Sequence, residues 1–261
     1  MTHEATPILF LSTLAAIPVL WALLIWPRKS FTLGQWTVYL LMVPIVRLLW
    51  RGELPSQTQF PPGKGAVIIC NHRSSLDGFI LQIAIGRQLI HWMVAQLYNQ
   101  KSLIGWLLAL CGTIPVAKRG RDVSSTKAAI HLASDGKLVG MLPEGTINTS
   151  DEFMLNVRPG AILVALKARV PILPCYIEGA PFHDTLWKPL FMPSRVTVKV
   201  GQFIDLSEYF GRESDKAAVA KLTLRCVKEI AKLAGRDDFE PQLAGRNWKT
   251  WASQDSSTIV A

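Results

Sequence analysis

The chain is poor in cysteine, poor in acidic side chains, and lacks the local signatures of covalent catalysis. Its four cysteines, at 70, 111, 175 and 226, form no C-x-x-C pair. That spacing excludes a zinc ribbon or finger, and scattered thiols in a chain of 261 residues do not make a disulfide framework; they read as small buried hydrophobes. No Gly-x-Ser-x-Gly elbow occurs, which removes the usual serine-hydrolase arrangement. Only 19 acidic residues face 28 lysines and arginines, giving a net charge of +9, so the partner is anionic. Nucleic acid fits poorly, because the cations are dispersed and the aromatics crowd into an apolar N-terminus. An anionic lipid surface or an acidic small substrate remains. No internal repeat is visible.

What the chain has in abundance is apolar surface: 49% hydrophobic residues and a mean hydropathy of +0.25. Much of it lies in the first fifty residues. Residues 8–26 carry no charge, and at about 1.5 Å per residue such a run matches a hydrocarbon core of about 30 Å. Pro18 would kink it, which membranes tolerate, and Trp21 and Trp26 are placed as interfacial anchors. Arg28 and Lys29 follow, so the positive-inside rule puts the end of this segment in the cytoplasm. A cleaved signal peptide would need a basic start and a shorter apolar core, and Thr2-His3-Glu4 supplies no such charge. A second run, 36–50, is broken by Pro44 and Arg47 and reads as interfacial or re-entrant.

The expected organisation is therefore a membrane anchor over 1–52 (a transmembrane helix 8–26 plus the helix 36–50), a linker over 53–65, a catalytic domain over 66–239 and a polar, poorly ordered tail over 240–261. Strands are expected at 66–70, 90–95, 113–116, 138–142, 172–177 and 195–200. Helices are expected near 77–86, 97–111, 124–135, 159–169 and 215–234. That alternation argues an α/β fold with a mostly parallel or mixed sheet flanked by helices.

The chemistry concentrates where the first strand ends. Ala66 to Cys70 is a buried-strand pattern, and His72 emerges at its carboxyl end, the edge at which open α/β sheets bind ligands. Asp77 lies five residues on. On one helix the two would point about 140° apart, so they meet only across a turn, and Asn71, Arg73, Ser74 and Ser75 have turn composition. The carboxylate would then fix the ring tautomer and leave the other nitrogen free to take a proton from a hydroxyl. Two bland readings compete. Ser74-x-x-Asp77 also fits a helix capping box. A His-x4-Asp pair arises by chance in about one such chain in five.

Further blocks lie downstream: Gly112-Thr113-Ile114-Pro115-Val116-Ala117-Lys118-Arg119, then Leu142-Pro143-Glu144-Gly145-Thr146, then Val170-Pro171-Ile172-Leu173-Pro174. With Asn71-His72-x4-Asp77-Gly78 they resemble, in order, the four blocks of the glycerophospholipid acyltransferase family, whose best-known members act on lysophosphatidate. Leu103-Ile104-Gly105-Trp106 and Arg158-Pro159-Gly160-Ala161 are also similar to the family, and the likeness runs from about Gly65 to Gly201. It implies a membrane-bound O-acyltransferase with His72 and Asp77 as the catalytic dyad. Lys118, Arg119, Glu144, Gly145 and Thr146 would hold the acceptor's glycerol phosphate. The co-substrate would be acyl-CoA or acyl-carrier protein, with no bound cofactor, no metal and no nucleic acid. In a bacterial cell the site would sit on the cytoplasmic face of the inner membrane.

Independently of the resemblance, Lys118 and Arg119 are adjacent cations beyond a strand end, suited to a phosphate, though a solvated basic loop accounts for them too. Glu144 to Thr146 follows a strand that delivers it to the edge of His72, and Gly145 suits a backbone nest for an anion. Two departures from the family bear on the acceptor. Lys118 stands where the second block usually ends in arginine, with Arg119 after it. Ile147 and Asn148 stand where the third block usually continues into arginine, which leaves Arg158 as a replacement cation. Phosphatidate formation from 1-acylglycerol 3-phosphate is the leading expectation, with another lysophospholipid or an amino-lipid as the alternative acceptor. A lipid hydrolase or transacylase, and a non-catalytic lipid-binding protein, are the rivals of other classes.

Overall fold

A computed structural model describes residues 24–245, apart from 28, 56–59, 61–62, 87, 97–102, 118–121 and 186. Six strands form one mixed sheet: β1 (Ala66–Cys70), β2 (Ile90–Ala95), β3 (Ile114–Val116), β4 (Leu138–Met141), β5 (Ile172–Glu178) and β6 (Thr197–Val200). The order is β3-β2-β4-β1-β5-β6, with every pairing parallel except β5–β6. The helices are α1 (Leu33–Pro44), α2 (Asp77–Ile85), α3 (Leu103–Leu110), α4 (Val123–Ser134), α5 (Gly160–Ala168) and α6 (Lys216–Leu233). The expected α/β class and helix-flanked mixed sheet are thus observed, and each described strand starts and ends within two residues of its expected bounds.

All five residues of β1 are buried, which is why it reads as a continuous apolar run. Val67 and Ile69 face one core with α5 and α6; Ala66, Ile68 and Cys70 face the other with α2. Beneath the start of α2, the Trp92 indole lies over Gly140 of β4, where an added Cβ would sit 2.4 Å from the ring. Gly78, next to Asp77, meets the same indole at 3.3 Å. Small residues on both sides therefore let one large ring set the height of the α2 N-terminus above the sheet.

Helix α1 belongs to this core. A capping box between Thr32 and Gln35 starts α1. Pro44 lies at its end, and a π-helical turn, Ile45–Leu49, follows. Val46 and Trp50 are both 0% exposed and pack in the cluster of β1 and α2. The chain then runs beside β6, with Glu53 N–H donating to Val196 and Val198 N–H to Glu53. Past α6, Val157 N–H donates to Gln242 and Ala244 N–H to Val157; Leu243 is buried, so the start of the segment expected to be a polar tail is held in place. Among the described residues no helix is long and apolar enough to cross a membrane; the expected span 8–26 lies almost entirely outside them.

Candidate active site

Because β1 and β4 are parallel neighbours, the loops after them leave the same sheet edge. Asn71 ends β1 without stranding its partner. Its side-chain amide donates to the Ile177 carbonyl at 2.8 Å and its side-chain oxygen accepts from Ile177 N–H at 2.9 Å, as a peptide group would. The backbone is thereby free to turn, and His72 projects from the turn.

The His72 ring and Asp77 meet, with Nδ1 2.9 Å from Oδ2. Asp77 is 1% exposed and the His72 side chain 17%. A carboxylate only accepts, so Nδ1 carries the proton and Nε2 presents its lone pair. Asp77 Oδ2 also accepts from Arg73 N–H at 2.8 Å and Ser74 N–H at 2.9 Å. The bond to Ser74 is half of a capping box. Helix α2 nevertheless begins at Asp77, with no side-chain cap at Leu76. Ser74 Oγ instead donates to Pro181 and accepts from Leu76 N–H. The two readings of Asp77 are therefore compatible: one oxygen fixes the turn and the imidazole together.

Glu144 is 4% exposed. Oε1 accepts from His72 N–H at 2.7 Å and Oε2 from Leu155 N–H at 2.8 Å, so both oxygens are engaged by backbone. Burial raises its pKa against the pull of those bonds. Asn148 N–H donates to the His72 carbonyl at 2.8 Å. Arg73 completes the clamp: its guanidinium donates to the carbonyls of Asn148 (3.2 Å), Ser150 (2.6 Å) and Glu152 (2.7 Å). His72 is thus gripped through its own backbone, through Arg73 and through its ring.

Gly145 (φ +70°) makes the turn of the third block, with its N–H bonded to the Leu142 carbonyl. Gly145 and Thr146 are exposed, and the Arg158 side chain lies alongside, its Nε 3.5 Å from a Cβ built on Gly145. An exposed cation therefore borders the third block, close to Ile147. Lys118 and Arg119 lie outside the described residues. The turn entering their block is held by His91, whose ring Nδ1 sits 2.8 Å from the Gly112 carbonyl and whose pKa burial depresses. Burial also pushes the Cys70 thiol well above its usual range, so it stays protonated. Among the described residues no cluster of three or more His, Cys, Asp or Glu could hold a metal.

Arg73 and Asn148 were not singled out from sequence. Their partners are backbone atoms, and backbone leaves no trace in a residue pattern. The only signal was position: Arg73 is next to His72, and Asn148 closes the third block.

The site thus combines a buried carboxylate, a partly exposed imidazole held against it and a neighbouring buried thiol. Residues 53–178, just under half of the chain, match the family model for Acyltransferase. The chain is similar to the 1-acyl-sn-glycerol-3-phosphate acyltransferase of Bacillus subtilis, 26% identical over 183 residues that span 70% of this chain and 88% of that one. The enzyme of the same description from Streptococcus pneumoniae is 29% identical over 177 residues, 63% of this chain and 61% of its own. The crystal structure of a 1-acyl-sn-glycerophosphate acyltransferase from Thermotoga maritima shares the fold, with a TM-score of 0.54 over 83% of this chain and 88% of that one at 19% identity.

Proposed function

We propose that the chain moves a fatty acyl group from a thioester, acyl-CoA or acyl-carrier protein, to the free hydroxyl of a lysophospholipid at a membrane surface. The leading acceptor is 1-acylglycerol 3-phosphate, giving phosphatidate. The observation that carries this reading is the His72–Asp77 pair, 2.9 Å apart at the carboxyl edge of the sheet. His72 Nε2 takes the acceptor's hydroxyl proton as the oxygen attacks the thioester carbonyl. The tetrahedral intermediate collapses with loss of the C–S bond, and the imidazolium returns its proton to the departing thiolate. Asp77 holds the tautomer and stabilises the cation in between. The thioester is already reactive, so a positioned base suffices without a covalent acyl-enzyme.

Lys118, Arg119 and Arg158 would hold the acceptor's phosphate, with Gly145 and Thr146 shaping the loop. Glu144 contributes by fixing the His72 backbone. The apolar run 8–26 would anchor the chain with its catalytic domain on the cytoplasmic face. Purified protein and a His72→Ala variant are supplied with lysophosphatidate and labelled acyl-CoA. The variant is expected to lose at least about 10²-fold in phosphatidate formation. Equal turnover by both would remove His72 as the base, and free fatty acid as the main product would make the enzyme a hydrolase.

A further inference from the structure

The connection between β5 and β6, residues 179–196, leaves the sheet beside the catalytic turn, where Ser74 Oγ donates to the Pro181 carbonyl. Its inner side is committed to the fold: Pro189 is buried and Leu190 packs against the core. Its outer side is not. Phe182, Trp187 and Phe191 are all exposed, Phe191 to 78%. The connection is tied to the π-helical turn through Ser194 N–H to Leu49 and Val196 N–H to Trp50. On that turn Leu48 is 76% exposed, and Leu41 and Leu33 on α1 are exposed as well.

Single exposed apolar residues are ordinary, but large ones gathered on joined segments beside a reaction site mark a contact surface. The charges nearby decide the occupant. Arg47, Arg51, Lys188 and Arg195 are exposed on these same segments, against only Glu53 and Asp184. Aromatic side chains interleaved with cations suit the boundary between anionic headgroups and acyl chains.

We propose that the β5–β6 connection is a lipid-contact loop that seats the catalytic edge on an anionic bilayer. Phe182, Trp187 and Phe191 enter the headgroup–acyl boundary, and the cations lie over the headgroups. The inference rests on reading the adjacent site as one that takes a lipid acceptor, and its test reads lipid contact separately from turnover. In the full chain with Cys111→Ser, a polarity-sensitive fluorophore is attached at Phe191→Cys and, as a control, at Lys221→Cys on α6. The other three native cysteines are buried. With phosphatidylglycerol-containing vesicles the label at 191 is expected to shift to the blue and to be quenched by spin-labelled lipid, while the label at 221 stays water-like. A water-like signal at 191 on vesicle-bound protein overturns the proposal. So does a shift at 191 that needs only raised protein concentration, which would assign the surface to a second copy.

A Trp187→Ser, Phe191→Ser double variant is expected to lose about tenfold in rate on vesicle-borne lysophosphatidate. Its rate on a short-chain, water-soluble acceptor is expected to stay within about twofold of the parent. Equal losses on both acceptors, or none on either, also overturn it. If the parent acylates neither acceptor while the label at 191 inserts, the lipid-contact loop stands and the proposed reaction fails.

Discussion

Asp77 Oδ2 accepts three hydrogen bonds, from the His72 ring and from the backbone of Arg73 and Ser74. An asparagine there can keep an oxygen or present an NH2 toward those donors, but it cannot carry the charge that stabilises an imidazolium. Asp77→Asn is expected to cut kcat/KM by about 10²- to 10⁴-fold. It should also cost about 1–3 kcal/mol of stability through mismatched buried donors, read by denaturant unfolding. Cys70 gives the opposite expectation. Burial keeps its thiol protonated, so Cys70→Ala should leave kcat within a few-fold of the parent; loss of turnover with the fold intact would revive a thiol nucleophile. The Asp77 contacts were legible in the sequence because their partners lie within five residues. Those of the Arg73 guanidinium were not, because it acts on carbonyls 75 to 79 residues downstream.

At the scale of elements, the loop from Pro143 to Val157 is as much part of the site as the turn that bears His72. It is held by Glu144, by Asn148 and by the Arg73 guanidinium, which replaces solvent for three carbonyls. Arg73→Ala should lower kcat by about ten- to a hundredfold, because a small misplacement of the base is costly. Arg73→Lys, with fewer donors in a less fixed geometry, should restore only part of it. A pH–rate profile with unchanged shape and reduced height would mark a positioning role. The strands were readable within two residues because buried parallel strands are short apolar runs between breakers. The second apolar segment was harder. A protein core and a bilayer select the same side chains, so the sequence could not say that Val46 and Trp50 point into the fold while Leu41 and Leu48 point out.

Over the whole molecule, an excess of nine positive charges and an exposed apolar face would act together on the proposed membrane surface. Their balance can be separated by length and salt. A chain beginning after residue 26 keeps α1 and should still sediment with anionic vesicles at low ionic strength. Raising NaCl toward about 0.5 M should release it, because headgroup attraction is screened over distances of about 10 Å or less. The full chain, with its uncharged run at 8–26, should resist the same wash. Equal release of both would remove that run as an anchor. A chain beginning at Glu53, where the family match starts, should not fold, since it lacks the Trp50 and Val46 side chains that close one face of the sheet.

The burial of Trp50 has a further consequence during biosynthesis. Helix α1 and its π-helical turn leave the ribosome before the sheet does, and the strand edge they run beside is completed at Val200, about 150 residues later. At roughly 5–20 residues per second, that is an interval of roughly 8 to 30 seconds in which the sheet behind α1 and its π-helical turn is incomplete. On the proposed membrane reading, a helix without charge, emerging behind an uncharged run, would have a resting place in the bilayer throughout that wait. The enzyme would thus assemble its sheet against a helix already lying on the membrane, so that folding and delivery to the lipid surface are one event.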